Sequence, residues 1–234
     1  MATIAQTKPR QERMTARRQA NLDIHKYTAN IMQSFGTIFF RILFNTLFKI
    51  EIQGKENIEK EKGPVIIVSN HVVFFDSFIF HLFFAPNASL LPLRFMGVTK
   101  FNKPALNVLS SVGIVQFIYL LFGVFVITQG EGLEKNLKNA VDILKGGGTV
   151  TIFPAGSMRG DNSLGEFKRG AAALALMTNT PIIPVALKRF KERGKRARFS
   201  LNVGKKFLLN TNESYNQATL ELYRKVEELH SKIS

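Results

Sequence analysis

The stretch that most constrains the fold is residues 64–77, PVIIVSNHVVFFDS. Its β-branched run at residues 65–68 is bounded by turn residues, a pattern typical of a buried strand. Asp76 then stands at the head of the apolar run FIFHLFF, a position that favours the start of a helix. Open α/β sheets hold their chemistry in the crevice at the carboxyl ends of their strands. We therefore predict that His71 lies in such a crevice.

Short apolar runs alternate with helical patterns along the rest of the chain. The predicted strands cover residues 48–53, 65–68, 90–96, 123–128, 149–153, 182–187 and 199–203. The predicted helices cover residues 77–84, 104–111, 131–145, 167–177 and 214–233. This alternation predicts an α/β fold with a mainly parallel central sheet flanked by helices.

Two apolar segments resemble membrane spans without meeting the requirements of one. Residues 31–50 are long enough, but four polar residues interrupt them: Gln33, Arg41, Asn45 and Lys49. A charge near the bilayer centre is costly, and these residues recur at intervals of four and eight, so they predict one polar face of a helix lying in the interface plane. Residues 13–47 are predicted as two helices broken near residues 34–36. Residues 113–128 are shorter, and we predict the end of a helix or a loop there, followed by a buried strand.

The composition indicates which partners the chain favours. The net charge is +15 although 45% of the residues are hydrophobic, and there is no cysteine. Disulfides, thiolate metal sites and cysteine nucleophiles are thereby excluded. So strong a positive charge favours an anionic partner: nucleic acid, an anionic membrane surface or a phosphorylated substrate.

His71 and Asp76 form a pair whose chemistry is direct. A carboxylate that holds one imidazole nitrogen fixes the tautomer, and the other nitrogen can then take a proton from a hydroxyl. The spacing alone is common by chance, so its meaning depends on the rest of the chain.

A second β-rich run, GTVTIFPAGSMRG at residues 148–160, ends in Pro-x-Gly. Together the two stretches contain NHVVFFD at residues 70–76 and FPAGS at residues 153–157. In this order and spacing they resemble the motifs of the PlsC-type glycerolipid acyltransferases, which include the 1-acylglycerol-3-phosphate acyltransferases. Two further segments extend the likeness over roughly residues 45–205: LGEFKRGAA at 164–172 and PIIPV at 181–185.

The resemblance implies a role for each member of the pair. His71 is expected to be the general base and Asp76 to orient it, so that a hydroxyl attacks the thioester of acyl-CoA or of acyl-carrier protein. Transfer is expected to be direct, because the chain has no Gly-x-Ser-x-Gly elbow. No metal or other cofactor is expected. Residues 1–47 are assigned to a basic tail with amphipathic membrane-associating helices, and residues 48–234 to an α/β acyltransferase domain.

Two motifs depart from the family pattern at the positions that bind the glycerol-phosphate acceptor. Where the family usually has FPEGTR this chain has FPAGSM, and in the intervening motif at residues 123–129 the family Arg is replaced by Gln129. Gln and Met cannot supply the charged fork of an arginine. The acceptor is therefore expected to be held differently. Three basic residues are candidate substitutes, with a solvated loop as the alternative: Arg159, Lys168 and Arg169.

Three further sets of residues have more than one interpretation. Gly156 either lets the backbone approach the substrate closely or forms a plain turn, and Ser157 is expected to be a structural hydroxyl at that turn. The apolar residues 72–75 and 78–84 are expected to line or support an acyl groove, although core packing gives the same pattern. His81 is expected to be packed rather than catalytic.

Residues 188–206 are dense in Lys and Arg, with Phe190 and Phe199 among them. They fit docking to anionic headgroups or to the phosphates of CoA, or else an exposed hairpin. No nucleic-acid-binding signature accompanies them, so no nucleic-acid partner is expected.

Two functions follow from these features. The first is acyl transfer to a lysophospholipid by a peripheral or monotopic protein on the cytoplasmic face of a membrane, with membrane lipids as partners and 1-acylglycerol-3-phosphate or another lysolipid as acceptor. The second is a catalytically weak lipid-binding protein on the same fold, which the Ala at position 155 allows. The sequence leaves open which donor carrier is used and what the oligomeric state is.

Overall fold

The computed structural model describes residues 23–24, 26–34, 41–74, 76–84, 87–98, 104–127 and 132–234. These residues contain one sheet with seven strands: β1 (Lys49–Gln53), β2 (Val65–Ser69), β3 (Leu93–Gly97), β4 (Val124–Val126), β5 (Thr149–Ile152), β6 (Ile182–Phe190) and β7 (Arg198–Val203). The strand order is β1-β7-β6-β2-β5-β3-β4. Neighbouring strands run parallel except β6 and β7, which are antiparallel. The predicted mainly parallel α/β sheet is confirmed.

The helices flank this sheet. They are α1 (Asp76–Phe84), α2 (Pro104–Ser111), α3 (Ile114–Phe122), α4 (Leu133–Lys145), α5 (Gly170–Thr178) and α6 (Tyr215–Ser231). Residues 26–34 and 41–47 are also helical. Two short 3-10 turns, Lys55–Asn57 and Ala88–Leu90, precede β2 and β3.

The central strand β2 is buried on both faces, and every one of its residues is buried. Ile66 and Val68 pack into a core with residues of α4, α5 and α6. Val65 and Ile67 pack into a second core on the other face, with residues of α1. A strand covered on both sides needs apolar residues at successive positions, which explains the uninterrupted run VIIV.

The parallel pairing brings the two conspicuous motifs to one edge of the sheet. β2 pairs in parallel with both β5 and β6, so the carboxyl ends of these strands lie together. The segments that follow β2 and β5, residues 70–76 and 153–169, therefore leave the sheet at the same edge. The strand order alone is enough to make neighbours of motifs that lie far apart in the sequence.

The interfacial helix predicted for residues 31–50 has a different form in the structure. Helical residues 26–34 and 41–47 agree with the two predicted helices, and Lys49 begins β1. Residues 35–40, where the predicted break partly falls, lie outside the described residues, as does the N-terminal tail. The prediction of a single polar face is wrong, because Gln33 is buried whereas Arg41 and Asn45 are exposed.

Gln33 is buried because its side chain substitutes for a strand partner. Its Nε2 donates to the carbonyl of Leu93 at 2.9 Å and to that of Phe122 at 3.2 Å. Its Oε1 accepts from the backbone N–H of Leu93 at 2.9 Å. A buried amide is stable when its hydrogen bonds are made, and these bonds attach helical residues 26–34 to the start of β3.

Two predicted boundaries also move. Residues 114–122 form the complete helix α3, which ends where Gly123 adopts a φ of 72°. The helix predicted from residue 167 begins instead at Gly170, since the backbone N–H of Lys168 donates to Pro154 O in a loop. Within the described ranges, no helix has both the length and the hydropathy to cross a bilayer.

Candidate active site

The site begins where β2 ends. The Asn70 side chain accepts from the backbone N–H of Leu187 and donates to the Leu187 carbonyl, both at 2.8 Å. These two bonds join the end of β2 to β6 one residue before His71. The backbone that carries His71 is therefore held at the carboxyl edge of the sheet.

His71 and Asp76 are in direct contact. The His71 Nδ1 lies 2.7 Å from Asp76 Oδ2. The same oxygen accepts the backbone N–H of Val72 at 2.6 Å and that of Val73 at 3.1 Å. An oxygen that accepts two backbone N–H groups acts as an acceptor towards the imidazole as well, so His71 Nδ1–H is the donor. The Nε2 of His71 is then free to accept a proton.

Asp76 begins α1, as predicted, but it does not act as an ordinary N-cap. Its carboxylate binds the loop that precedes it instead of the first turn that follows. The carboxylate is fully buried, whereas the His71 side chain is 20% exposed. The carboxylate is thereby enclosed and the imidazole is open on one side, an arrangement that suits general-base chemistry.

An aromatic ring supports the imidazole from the second motif. The Phe153 ring stacks on His71 with centroids 4.4 Å apart and an interplanar angle of 15°. The edge of Phe153 meets Phe80 at 5.6 Å, and its ring stacks on Phe95 at 6.4 Å. The sequence motif contains Phe153, but only the packing indicates that it supports the base.

The second motif lines a cavity of about 620 Å³. All five residues singled out in this part of the sequence lie on its wall: Gly156, Ser157, Arg159, Lys168 and Arg169. The backbone N–H of Arg159 donates to the carbonyl of His71 at 2.7 Å, so the cavity wall is bonded to the residue that carries the base. The remaining candidate, Gln129, lies outside the described residues.

Gly156 and Ser157 take distinct positions in this wall. Gly156 has a φ of 67°, which side-chain-bearing residues rarely adopt, and a Cβ there would lie 3.3 Å from Lys168 Nζ. The side chain of Ser157 is exposed at the turn. Ala155, where the family has Glu, is buried at 7% exposure, so no carboxylate enters the cavity at that position.

Sequence reasoning missed four residues of the cavity wall: Glu166, Phe167, Asn216 and Thr219. The last two lie on α6, which the motifs do not reach. A capping box between Ser214 and Gln217 fixes the start of α6, so Asn216 and Thr219 lie in its first turns. A capping signature is visible in the sequence, but the packing of α6 against the loop after β5 is not.

The sequence model of the Acyltransferase family matches residues 49–188, which include both motifs and five of the seven strands in full. The chain belongs to the Acyltransferase family. The resemblance inferred from the motifs is confirmed.

Relatives of this Acyltransferase chain carry a common name. It is 30% identical to a 1-acyl-sn-glycerol-3-phosphate acyltransferase of Pseudomonas aeruginosa over 59% of this chain and 49% of that protein. It is 26% identical to a chloroplastic enzyme of the same name from Brassica napus over 69% of this chain and 44% of that protein. The chain thus spans about half the length of the curated relatives it matches.

A solved structure shares the fold. The crystal structure of the 1-acyl-sn-glycerophosphate acyltransferase PlsC from Thermotoga maritima superposes with a TM-score of 0.58 at 21% identity. The match covers 88% of this chain and 81% of that one. At this identity the likeness describes the fold of the Acyltransferase chain.

The loop after the second motif is hydrogen-bonded to both β6 and α6. Asn162, at a φ of 66°, donates to Arg189 O at 2.8 Å and accepts from Arg189 N–H at 2.7 Å. Its own carbonyl lies 2.7 Å from His230 Nε2 on α6. Burial, together with the nearby Lys188 charge, lowers the pKa of His230. These contacts hold the cavity wall against β6 and α6.

Most of the residues expected to line an acyl groove are core residues in this Acyltransferase chain. Within α1, Ile79, Phe80 and residues 82–84 are buried in the core on the α1 face of the sheet. Phe74, by contrast, is 66% exposed. His81 is buried among these side chains, and desolvation lowers its pKa to about 4, which agrees with the expected packing role.

Proposed function

We propose that the protein transfers a fatty acyl group to the hydroxyl of a lysophospholipid, in phospholipid biosynthesis or remodelling. The observation that carries this proposal is the 2.7 Å contact between His71 Nδ1 and Asp76 Oδ2 at the carboxyl end of β2. The exposed face of the imidazole, the buried acid and the family of the chain support the same reaction.

The proposed mechanism is general-base catalysis by His71. Its Nε2 takes the proton of the acceptor hydroxyl as the oxygen attacks the thioester carbonyl. Asp76 stabilises the imidazolium that forms, and His71 then returns the proton to the leaving thiolate. The products are the ester and the free thiol of CoA or of acyl-carrier protein, and no further cofactor takes part.

The basic cavity is the proposed site for the acceptor's phosphate. Arg159, Lys168 and Arg169 line it together, and the first of these is bonded through its backbone to His71. An acceptor phosphate held there lies next to the base. The default acceptor is 1-acylglycerol-3-phosphate, the substrate named in the relatives. The absence of Glu and Arg from FPAGSM favours acceptance of other lysolipids as well.

The place of action is proposed to be the cytoplasmic face of a membrane, with the protein peripheral or monotopic. The net charge of +15 supports attraction to an anionic leaflet. A lysolipid acceptor is itself concentrated at such a surface.

The decisive experiment offers purified protein acyl-CoA or acyl-carrier protein with a mixed lysolipid extract. Mass spectrometry identifies the acylated lipids, and the release of free thiol over time gives the rate of acyl transfer. We expect His71→Ala and Asp76→Asn each to lower turnover by about a thousandfold. Asp142→Asn in α4 is the matched control and keeps the wild-type rate.

Lipid binding without turnover that depends on His71 would contradict the proposal and would favour a lipid-binding protein. Arg159→Ala tests the acceptor site separately. It is expected to raise the KM for phosphate-bearing acceptors, whereas Arg224→Ala, at an exposed position on α6, leaves it unchanged.

A further inference from the structure

An uncharged segment of the sequence has no role in the proposed mechanism. Residues 104–130 contain no Asp, Glu, Lys, Arg or His, in a chain where charged residues make up 21%. They include α2 and α3, which form a helical hairpin around Gly113 at a φ of 83°. Gln116 donates to Ser110 at 3.2 Å and links the two helices.

The hairpin presents an apolar surface. Six of its large apolar side chains are exposed: Val108, Leu109, Val112, Ile114, Phe117 and Ile118. Three of them, Val108, Val112 and Phe117, are at least 60% exposed. Scattered exposed apolar residues are ordinary, but a group of this size on two adjacent helices marks an interaction surface.

The helix at residues 41–47 adds a second group of exposed apolar side chains. Its side chains Ile42, Leu43 and Leu47 are also exposed. Phe78 of α1 joins it to α3, because the Phe78 ring lies 6.4 Å from Phe44 and 4.6 Å from Phe122. We call the exposed apolar residues of the hairpin and of residues 41–47 the docking face.

The docking face approaches the candidate active site. Phe74 is 66% exposed and lies in the loop between His71 and Asp76. The helix α1, which supports the docking face through Phe78, begins at Asp76 itself. The docking face and the candidate active site are therefore connected through α1.

Cations flank the docking face. The β6–β7 turn carries exposed Lys191, Arg193, Lys195 and Arg196 against a single acid, Glu192. The Arg196 guanidinium donates to the carbonyls of Asn45 at 2.8 Å and Thr46 at 3.1 Å, so this basic turn is bonded to the helix at residues 41–47.

We propose that the docking face lies in the interfacial plane of an anionic lipid bilayer, with the basic β6–β7 turn on the headgroups. An apolar surface bordered by cations complements such a membrane. Neither hairpin helix exceeds nine residues, so the hairpin dips into one leaflet and does not cross the bilayer. The inference rests on the proposed function, because membrane docking serves to bring a lysolipid to His71.

The absence of tryptophan from the chain provides a direct test. Phe117→Trp places a single reporter on the docking face, and Leu220→Trp places one at an exposed site on α6, which packs on the opposite face of the sheet. We use vesicles of equal parts phosphatidylglycerol and phosphatidylcholine. The fluorescence emission of the first reporter is expected to shift to the blue and to be quenched by lipids brominated near the headgroup end of their acyl chains. The second reporter is expected to remain unchanged.

Charge insertion gives the second arm. Val112→Glu with Ile118→Glu is expected to weaken co-sedimentation with these vesicles by about tenfold or more, because two carboxylates enter the apolar layer. Leu208→Glu with Leu220→Glu is the matched control at exposed positions and leaves binding unchanged. Thermal melts verify that both double variants fold.

Three results would overturn the inference. The first is unshifted fluorescence from the reporter at position 117 while the protein still sediments with vesicles, and the second is an equal effect of the two double variants on sedimentation. The third is a blue shift without lipid that grows with protein concentration as the molecular mass doubles. The last would identify a second copy of the chain as the occupant. The proposed function is judged separately, since His71→Ala is expected to bind vesicles like the wild type. If acyl transfer is never observed but the reporter at position 117 responds to vesicles, only the proposed function fails.

Discussion

At the level of single residues, the His71 side chain and its backbone are held by contacts of three kinds. Asp76 fixes one imidazole nitrogen, the Phe153 ring covers one face, and the backbone carbonyl of His71 accepts from Arg159. Each contact restricts a different motion of the ring or of its backbone. Since an approaching hydroxyl needs the Nε2 at a defined position, loss of any contact is expected to lower the rate more than the stability.

Phe153→Leu tests the aromatic support. The substitution removes the stacking on His71 while keeping an apolar side chain, and stacking contributes about 0.5–1.5 kcal/mol. We expect turnover to fall about three- to tenfold with little change in KM. Phe84→Leu, which removes a buried ring that stacks on Phe80 instead, is the control. A larger loss of turnover in the control than in Phe153→Leu would show that general loosening of the core causes the effect.

His81 predicts how the free energy of unfolding depends on pH. Burial lowers its pKa in the folded protein from 6.5 to about 4. Between these values the unfolded chain binds a proton that the folded protein does not, so stability is lost as the pH falls from about 6.5 towards 4. The size of the pKa shift limits this loss of unfolding free energy to about 3 kcal/mol. Urea unfolding of wild type and His81→Gln across this range measures it, and the variant is expected to show the shallower slope. Parallel curves for the two proteins would contradict the assignment.

At the level of elements, polar side chains attach helices and loops to the sheet where backbone pairing ends. Asn70 bonds both backbone groups of Leu187, and Asn162 bonds both of Arg189. Gln33 does the same for the start of β3. An amide can replace a strand's donor and acceptor together, because it carries one group of each kind.

Gln33→Leu is expected to detach helical residues 26–34 from β3. The substitution leaves the backbone groups of Leu93 without their present partners, a cost of about 1–3 kcal/mol. Chemical denaturation measures this loss, and Gln53→Leu, at an exposed position in β1, is the control. Equal stability of Gln33→Leu and wild type would mean that the helix contributes nothing to the fold of the sheet.

At the level of the whole molecule, the two faces of the sheet have different surroundings. The core with α4, α5 and α6 lies on one side, and the core with α1 lies on the other. Large exposed apolar side chains are concentrated on α2, α3 and residues 41–47, whereas the basic β6–β7 turn projects at the carboxyl edge of the sheet. This asymmetry is the basis of the proposed orientation of the molecule at a membrane surface.

The net charge predicts that salt weakens membrane binding. Charges separated by more than a Debye length, about 8 Å at 0.15 M salt, are largely screened. Binding to vesicles rich in phosphatidylglycerol is therefore expected to fall steeply between 0.05 M and 0.5 M salt. Binding to pure phosphatidylcholine is expected to be weaker and nearly independent of salt. Salt-independent binding to the anionic vesicles would contradict a role for the cations.

The sequence by itself determined the type of fold and the spacing of the His71–Asp76 pair. Local patterns carry this information: buried strands are continuous apolar runs, and residues 70–76 place a histidine and an aspartate five positions apart. The four ordered motifs were likewise sufficient to identify the family, because their spacing follows from the strand–helix units between them.

The tertiary structure decided which distant side chains meet. The parallel pairing of β2 and β5 brings Phe153 onto His71 across many residues of chain, and α6 adds Asn216 and Thr219 to the cavity. It also decided that Gln33 is buried, since the unpaired backbone of β3 offers it hydrogen bonds that water would otherwise make. Such contacts depend on strand order and packing, which no local pattern specifies.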